Sequence, residues 1–347
     1  MRINYNKIFN SLLFILFATP LLAAESKDKL SEGMVNPGYH EKPVWFKESF
    51  LDIREDIDEA SEAGKRVLLY FYQDGCPYCG KLLKDNFGDR RISDYTRKNF
   101  DVIAINMWGD REVVDLKGNT VTEKEYTRGL RVQYTPTMVY LDETGKVLLR
   151  INGYFAPDRF LTALQYVGEK QENNLSIREY FKKLKPRKAS GKLHTDVTTL
   201  DNPAVLAGRL DQDKPLLVMF EQKVCATCDE FHQDVLKRPE VIKKLEYFDV
   251  VVVDMWSEED ITTPDGRLMK VSDWAAEMGI QYGPSLVFYI NNREVFRSEG
   301  YLKTFHTKAA LDYVSSGAYI SIPEFQRFVQ KIADDLHERG IEYDLMD

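Results

Sequence analysis

The feature that most constrains this chain is an internal repeat. Setting the 347-residue sequence against itself at an offset of about 148 positions brings Phe100-Asp101-Val102 onto Phe248-Asp249-Val250, Met107-Trp108 onto Met255-Trp256, Gly118 onto Gly266 and Pro136 onto Pro284. All four cysteines fall in matching stretches, FYQDGCPYCG at 71–80 and FEQKVCATCD at 220–229. A chain that repeats its signals in order folds as two copies of one architecture. Whatever Cys76 and Cys79 do in the first copy, Cys225 and Cys228 are spaced to do in the second.

Each copy opens with a short apolar, β-rich run, RVLLYFY or PLLVMF, that ends just before its cysteine pair. Helix-like stretches follow, KLLKDNF and EFHQDVL, and then the strands DVIAINMW and DVVVVDMW. Each of those leads to an insert, DLKGNTVT or TTPDGRLMKV, whose turn residues predict a hairpin. The helical patterns EKEYTRGL and SDWAAEMG precede a strand, turn and strand that open on a proline, and DRFLTALQYV or KAALDYV closes the copy. The order β-α-β-α-β-β-α, twice over, predicts an α/β protein of two tandem domains, each a central mixed sheet flanked by helices. The domains are set at 43–184 and 195–347, the second with a C-terminal helix, and 185–194 is read as a linker. The basic run KKLKPRKASGK from Lys182 to Lys192 carries Pro, Ser and Gly and reads as a solvated connector. Each domain is expected to own a core, with few contacts crossing the boundary near Ser190.

The first 24 residues place Arg2 and Lys7 before an apolar run and end in Ala23 and Ala24, the pattern of a secretory signal. Residues 25–42 then form an N-terminal extension. A retained membrane anchor is the other reading of this segment, although Asn10, Ser11 and Pro20 interrupt it. Cleavage takes the formal charge from −8 to −10. An acidic chain without basic clusters outside the linker argues against nucleic acid or anionic membrane as partners. The expected compartment is a periplasm.

A pair of cysteines three apart at a helix start presents both sulfurs on one face. The first sits where free N–H groups and the helix dipole stabilise a thiolate. The second is placed to attack the mixed disulfide that the first one forms. Cys76 and Cys225 are therefore read as attacking thiols, and Cys79 and Cys228 as resolving ones. Other readings of such pairs are a zinc ribbon, an inert structural disulfide and a copper(I) site. The wide spacing between the pairs, the three-residue loop within each, and the lack of a Met or His cluster in the nearby sequence speak against them in turn. No metal and no cofactor are assigned.

The strand running into Cys-x-x-Cys, with an X-Pro opening the next-to-last strand about 60 residues later, resembles the thioredoxin superfamily. Gly-Cys-Pro-Tyr-Cys and the hairpin insert look like periplasmic thioredoxin-related proteins associated with sulfur-oxidation gene clusters. The second copy, with CATCDEF and RPEVIKKL, is also similar to the C-terminal periplasmic domain of transmembrane disulfide-interchange reductases. The resemblance implies that Thr135-Pro136 and Gly283-Pro284 are cis-proline positions that dock a substrate backbone. Pro77-Tyr78 and Ala226-Thr227, between the sulfurs, would then tune each pair. Two family positions differ here. The Trp before the first Cys is Gly75 or Val224, and the buried Asp six residues before it is Tyr70 or Met219. Glu221, four residues before Cys225, is read as an exposed strand-end residue, the other reading being a substitute for the missing acid; His232 is read as a partly buried helix residue, and Trp108 and Trp256 as strand-end packing. Asp74, Lys223, Asp229 and Glu230 place unequal charge around the two pairs, so their potentials are expected to differ. The implied function is an exported thiol–disulfide oxidoreductase, a reductase or electron relay. Its partners are cysteine-containing exported proteins together with a membrane electron donor or acceptor. The alternatives are an isomerase, or a binding or chaperone module with little redox turnover.

Overall fold

The computed structural model describes residues 39–181, 188–209 and 213–341. The signal segment, residues 25–38 of the extension and residues 182–187 around the linker's start lie outside them. In the first half, helix α1 (Ile53–Glu62) starts at Asp52, whose carboxylate accepts the N–H groups of Arg54 and Glu55. Strand β1 (Arg66–Tyr72) runs into the short helix α2 (Pro77–Lys81), which widens into a π-helical turn over Leu82–Asn86. Helix α3 (Arg90–Asn99), strand β2 (Phe100–Asn106) and the hairpin β3 (Glu112–Val114) and β4 (Thr120–Thr122) follow. Helix α4 (Glu123–Gly129) is fixed by a capping box between Thr122 and Glu125. Strands β5 (Thr137–Leu141) and β6 (Val147–Asn152), then helices α5 (Pro157–Gly168) and α6 (Ile177–Phe181), complete the half.

The second half repeats the order with β7 (Leu216–Glu221), α7 (Ala226–Gln233), α8 (Pro239–Leu245), β8 (Asp249–Asp254), β9 (Asp260–Thr262), β10 (Leu268–Lys270), α9 (Val271–Glu277), β11 (Ser285–Ile290), β12 (Arg293–Glu299) and α10 (Thr304–Ser315). Helices α11 (Ala318–Ser321) and α12 (Phe325–Glu338) end it. The two four-stranded sheets have equivalent orders, β2-β1-β5-β6 and β8-β7-β11-β12. In each, the central strand pairs parallel on one side and antiparallel on the other. The mixed sheets and both hairpin inserts agree with the sequence reading. Helix α1 has no counterpart in the second half among the described residues.

Alternation along the central strands divides each half into two layers. Leu68 and Tyr70 face the layer that holds Cys76, Cys79 and α5, whereas Val67, Leu69 and Phe71 face α1 and α4. Leu217 and Met219 face α10 and α12, whereas Leu216, Val218 and Phe220 pack on Trp274 of α9.

The halves also exchange side chains, which the expectation of separate cores missed. Tyr134 joins the second half's core, its ring 5.4 Å from Phe325. Tyr282 joins the first half's core, 5.6 Å from Phe155. Each tyrosine stands two residues before one of the matched prolines. The Tyr134 hydroxyl donates to the Arg297 carbonyl at 3.3 Å, while the Tyr282 hydroxyl accepts the Asn152 N–H at 2.8 Å. A second reciprocal pair of contacts brackets the first. The Arg178 guanidinium lies 4.2 Å from the Trp256 ring, and that of Arg327 lies 4.9 Å from Trp108. The two halves form one compact body. No helix among the described residues is long and apolar enough to cross a membrane.

Candidate active sites at the two cysteine pairs

Cys76 and Cys225 are the N-cap residues of α2 and α7, and each is disulfide-bonded to the cysteine three residues on. The capping role suits sulfur because the first-turn N–H groups have no partner inside the helix. The Cys79 N–H points at Cys76 Sγ at 3.1 Å, and the Cys228 N–H at Cys225 Sγ at 3.0 Å. All four cysteines are buried, the first of each pair 3% and 5% exposed and the second of each 1%. Gly75 stands before the first pair because the chain turns there at φ +81°, a conformation that a Cβ disfavours. Val224 at the matching place has no such turn and is exposed. Pro77 and Ala226 take the first helical position of α2 and α7.

The Thr135-Pro136 and Gly283-Pro284 peptide bonds are both cis. Cys76 Sγ lies 3.3 Å from the Thr135 carbonyl oxygen, and Cys225 Sγ 3.7 Å from that of Gly283. In the second site the Thr227 hydroxyl donates to the Gly283 carbonyl at 3.3 Å. The Tyr78 ring meets His306 of the other half, with centroids 5.9 Å apart. A Cβ on Gly283 would come within 3.1 Å of the β7 backbone and 3.4 Å of Cys228 Sγ, so a side chain there would fit only with a small shift of its neighbours.

Tyr70 and Met219, at the place of the family's buried acid, are fully buried in the layer beside the cysteines. Glu221 departs from the expectation of an exposed strand end: its exposure is 0%, and its Oε1 lies 2.9 Å from His232 Nε2. His232, in the last turn of α7, reaches the end of β7. His232 follows Cys228 by four residues, one helical turn, a spacing legible in the sequence. Nothing in the sequence pairs it with Glu221.

The charges read around the second pair are largely engaged elsewhere. Burial opposes ionisation of Asp229, yet hydrogen bonds from Ser190 and His194 hold its carboxyl below the usual range. Ser190 donates from both its N–H and its hydroxyl, at 2.7 and 2.6 Å. The end of the linker is therefore pinned to α7 rather than free in solvent. Lys223 lies 3.8 Å from Asp254, and Glu230 accepts from Tyr301 and Lys303. Trp108 and Trp256 are half-buried, and their indole N–H groups donate at 2.7 Å to Gln73 and Gln222, each three residues before a pair. The matched tryptophans thus hold the turns that present the cysteines. Gln73 in addition donates to Gln326 of α12.

The thioredoxin-like domain family matches residues 53–168 and 209–315. The thiol:disulfide interchange protein DsbD of Actinobacillus pleuropneumoniae serotype 5b (strain L20) is 26% identical over 119 residues, 34% of this chain and 18% of that protein. The matched stretch is thus under a fifth of that relative's length. A thioredoxin-fold protein from Helicobacter pylori is 26% identical, covering 40% of this chain and 94% of that one, with a TM-score of 0.31. A thioredoxin from Thermus thermophilus is 25% identical over 33% of this chain and 83% of its own, with a TM-score of 0.27.

Proposed function

This chain belongs to the thioredoxin-like domain family, and from that premise we propose that it is an exported thiol–disulfide oxidoreductase acting on cysteine-containing proteins. The observation that carries the reading is the same in both halves: a disulfide at a helix start whose first sulfur receives a backbone N–H. That N–H would stabilise the thiolate of the reduced pair and make the first cysteine the nucleophile near neutral pH. In the reductive direction the Cys76 or Cys225 thiolate attacks one sulfur of a substrate disulfide. That S–S bond breaks, one substrate thiolate leaves, and a mixed disulfide forms. The Cys79 or Cys228 thiolate then attacks the enzyme sulfur and releases the second substrate thiolate. Two electrons have passed to the substrate and the enzyme pair is oxidised. A dithiol donor outside the chain, supplied from a membrane partner, would restore it.

The relay form of this reading draws support from the way the halves meet. The loops that carry Pro136 and Pro284 face each other through Tyr134 and Tyr282, and Tyr78 touches His306. The assignment of 43–184 and 195–347 as domains, and of residues 1–24 as a cleaved signal, belongs to the same proposal. Trapping tests it. With Cys79→Ala or Cys228→Ala introduced separately in the host cell, we expect exported proteins to remain disulfide-linked to Cys76 or Cys225. An absence of covalent adducts in both variants, with the reduced proteins unreactive to alkylation at mildly acidic pH, would leave only the binding-module alternative.

A further inference from the structure

His194 and His232 are 38 residues apart in the chain, yet their rings stack with centroids 4.6 Å apart and 17° between planes. Each ring has one nitrogen held by a carboxylate: His194 Nε2 lies 2.6 Å from Asp229 Oδ1, and His232 Nε2 lies 2.9 Å from Glu221 Oε1. A carboxylate only accepts, so these nitrogens carry the protons and each Nδ1 of the neutral ring carries a lone pair. His232 Nδ1 is buried and has no hydrogen-bond partner. It faces the Asp196 carboxylate with 3.4 Å between Nδ1 and Oδ1. No hydrogen bond joins the two, and a cation shared between them would satisfy both the buried lone pair and the carboxylate.

We propose that His194, His232 and Asp196 form a binding site for a divalent transition ion of the zinc class. The donor set, two imidazoles and a carboxylate with water as fourth ligand, is one that zinc accepts. Orientation of each ligating imidazole through its other N–H by a carboxylate is the usual outer arrangement of such sites, and Asp229 and Glu221 fill that role here. One ligand atom from each residue lies within 4.8 Å of the others. That is wider than the roughly 3.3 Å edge of a tetrahedron built on zinc–nitrogen bonds, so the ion draws the ligands together and turns the stacked rings toward a common point. His194 and Asp196 stand on an irregular stretch that can supply that movement, whereas His232 is fixed on α7. The ion would fasten residues 190–196 to the helix that carries Cys225 and Cys228, one turn from Cys228. The site takes nothing from the thiol chemistry, and its test is independent of it.

The test uses the full chain with both disulfides intact, so that no cysteine can ligate, after removal of metal by a chelator. Calorimetric titration with Zn2+ near neutral pH is expected to show one ion per chain, and Co2+ in its place to give the absorption bands of tetrahedral coordination. His194→Ala and Asp196→Asn, both on the irregular stretch, should each weaken Zn2+ binding at least ten-fold. Asp229→Asn should weaken it about 10- to 100-fold through loss of orientation. Failure to take up Zn2+ or Co2+, or an affinity in His194→Ala and Asp196→Asn equal to that of the unaltered chain, would overturn the site. So would nitrogen NMR showing His232 doubly protonated at neutral pH with no metal uptake, since a proton would then be the cation between the two acceptors.

Discussion

Tyr78 and Thr227 occupy the same place between paired sulfurs and have different neighbours, and His306 is what makes the first one different. Its Nδ1 is buried without a partner, and burial pulls its pKa from 6.5 down to about 4. A base whose folded value lies below its unfolded one contributes stability that is complete above pH 6.5 and is lost as pH falls through 4. We therefore expect the protein to lose at most about 3 kcal/mol over that window from this residue alone. The loss should fall where His306 packs on Tyr78. His306→Phe should flatten the thermal midpoint against pH between those limits; an unchanged slope would show that the ring is already solvated. Nothing along the chain points to His306, because its neighbour Tyr78 lies 228 positions away. The four cysteines, the two prolines and the missing acid at Tyr70 and Met219 were legible because their meaning lies in spacing along one strand and one helix. Glu221 was not, since burial of a strand-end carboxylate depends on which helix folds over it.

At the scale of elements, the repeat carried most of the fold. Both mixed sheets and both hairpin inserts follow from strand patterns and turn residues that sit at one offset. The departures have local causes. The π-helical turn after α2 is the stretch that brings Asn86 inward, where its amide donates to the Phe155 carbonyl at 2.9 Å, a bond no periodicity announces. The second proline loop lies close to its central strand. A Cβ at Gly283 would meet the β7 backbone at 3.1 Å, so a side chain there needs its neighbours to give way. Gly283→Thr, which copies the first loop into the second, should push the loop off β7. The expected cost is about 1–3 kcal/mol, read as a lower denaturation midpoint with the Cys225–Cys228 potential shifted as well. The reverse substitution, Thr135→Gly, should move stability by less than half as much. Equal effects from the two would mean that the close approach at Gly283 is relaxed in solution.

For the molecule as a whole, the exchange of Tyr134 and Tyr282 means that neither half has a complete core by itself. Expressed as separate fragments divided near Lys188, each half should keep its sheet but be less stable than in the full chain, by about 3 kcal/mol, the usual cost of losing a buried aromatic. Mixing the fragments should recover part of that loss. Denaturation midpoints of the fragments equal to those of the full chain would show that the crossed tyrosines contribute nothing. The symmetry of these contacts also has a bearing on descent. Two copies of a self-associating ancestor must use the same surface in the same way, so both tyrosine hydroxyls would have to donate, or both accept. Here one donates to a carbonyl and the other accepts an N–H. Joining the copies in one polypeptide makes their encounter intramolecular, at an effective concentration on the order of millimolar. An association too weak for free subunits then suffices. Each copy is released from matching its twin and can specialise.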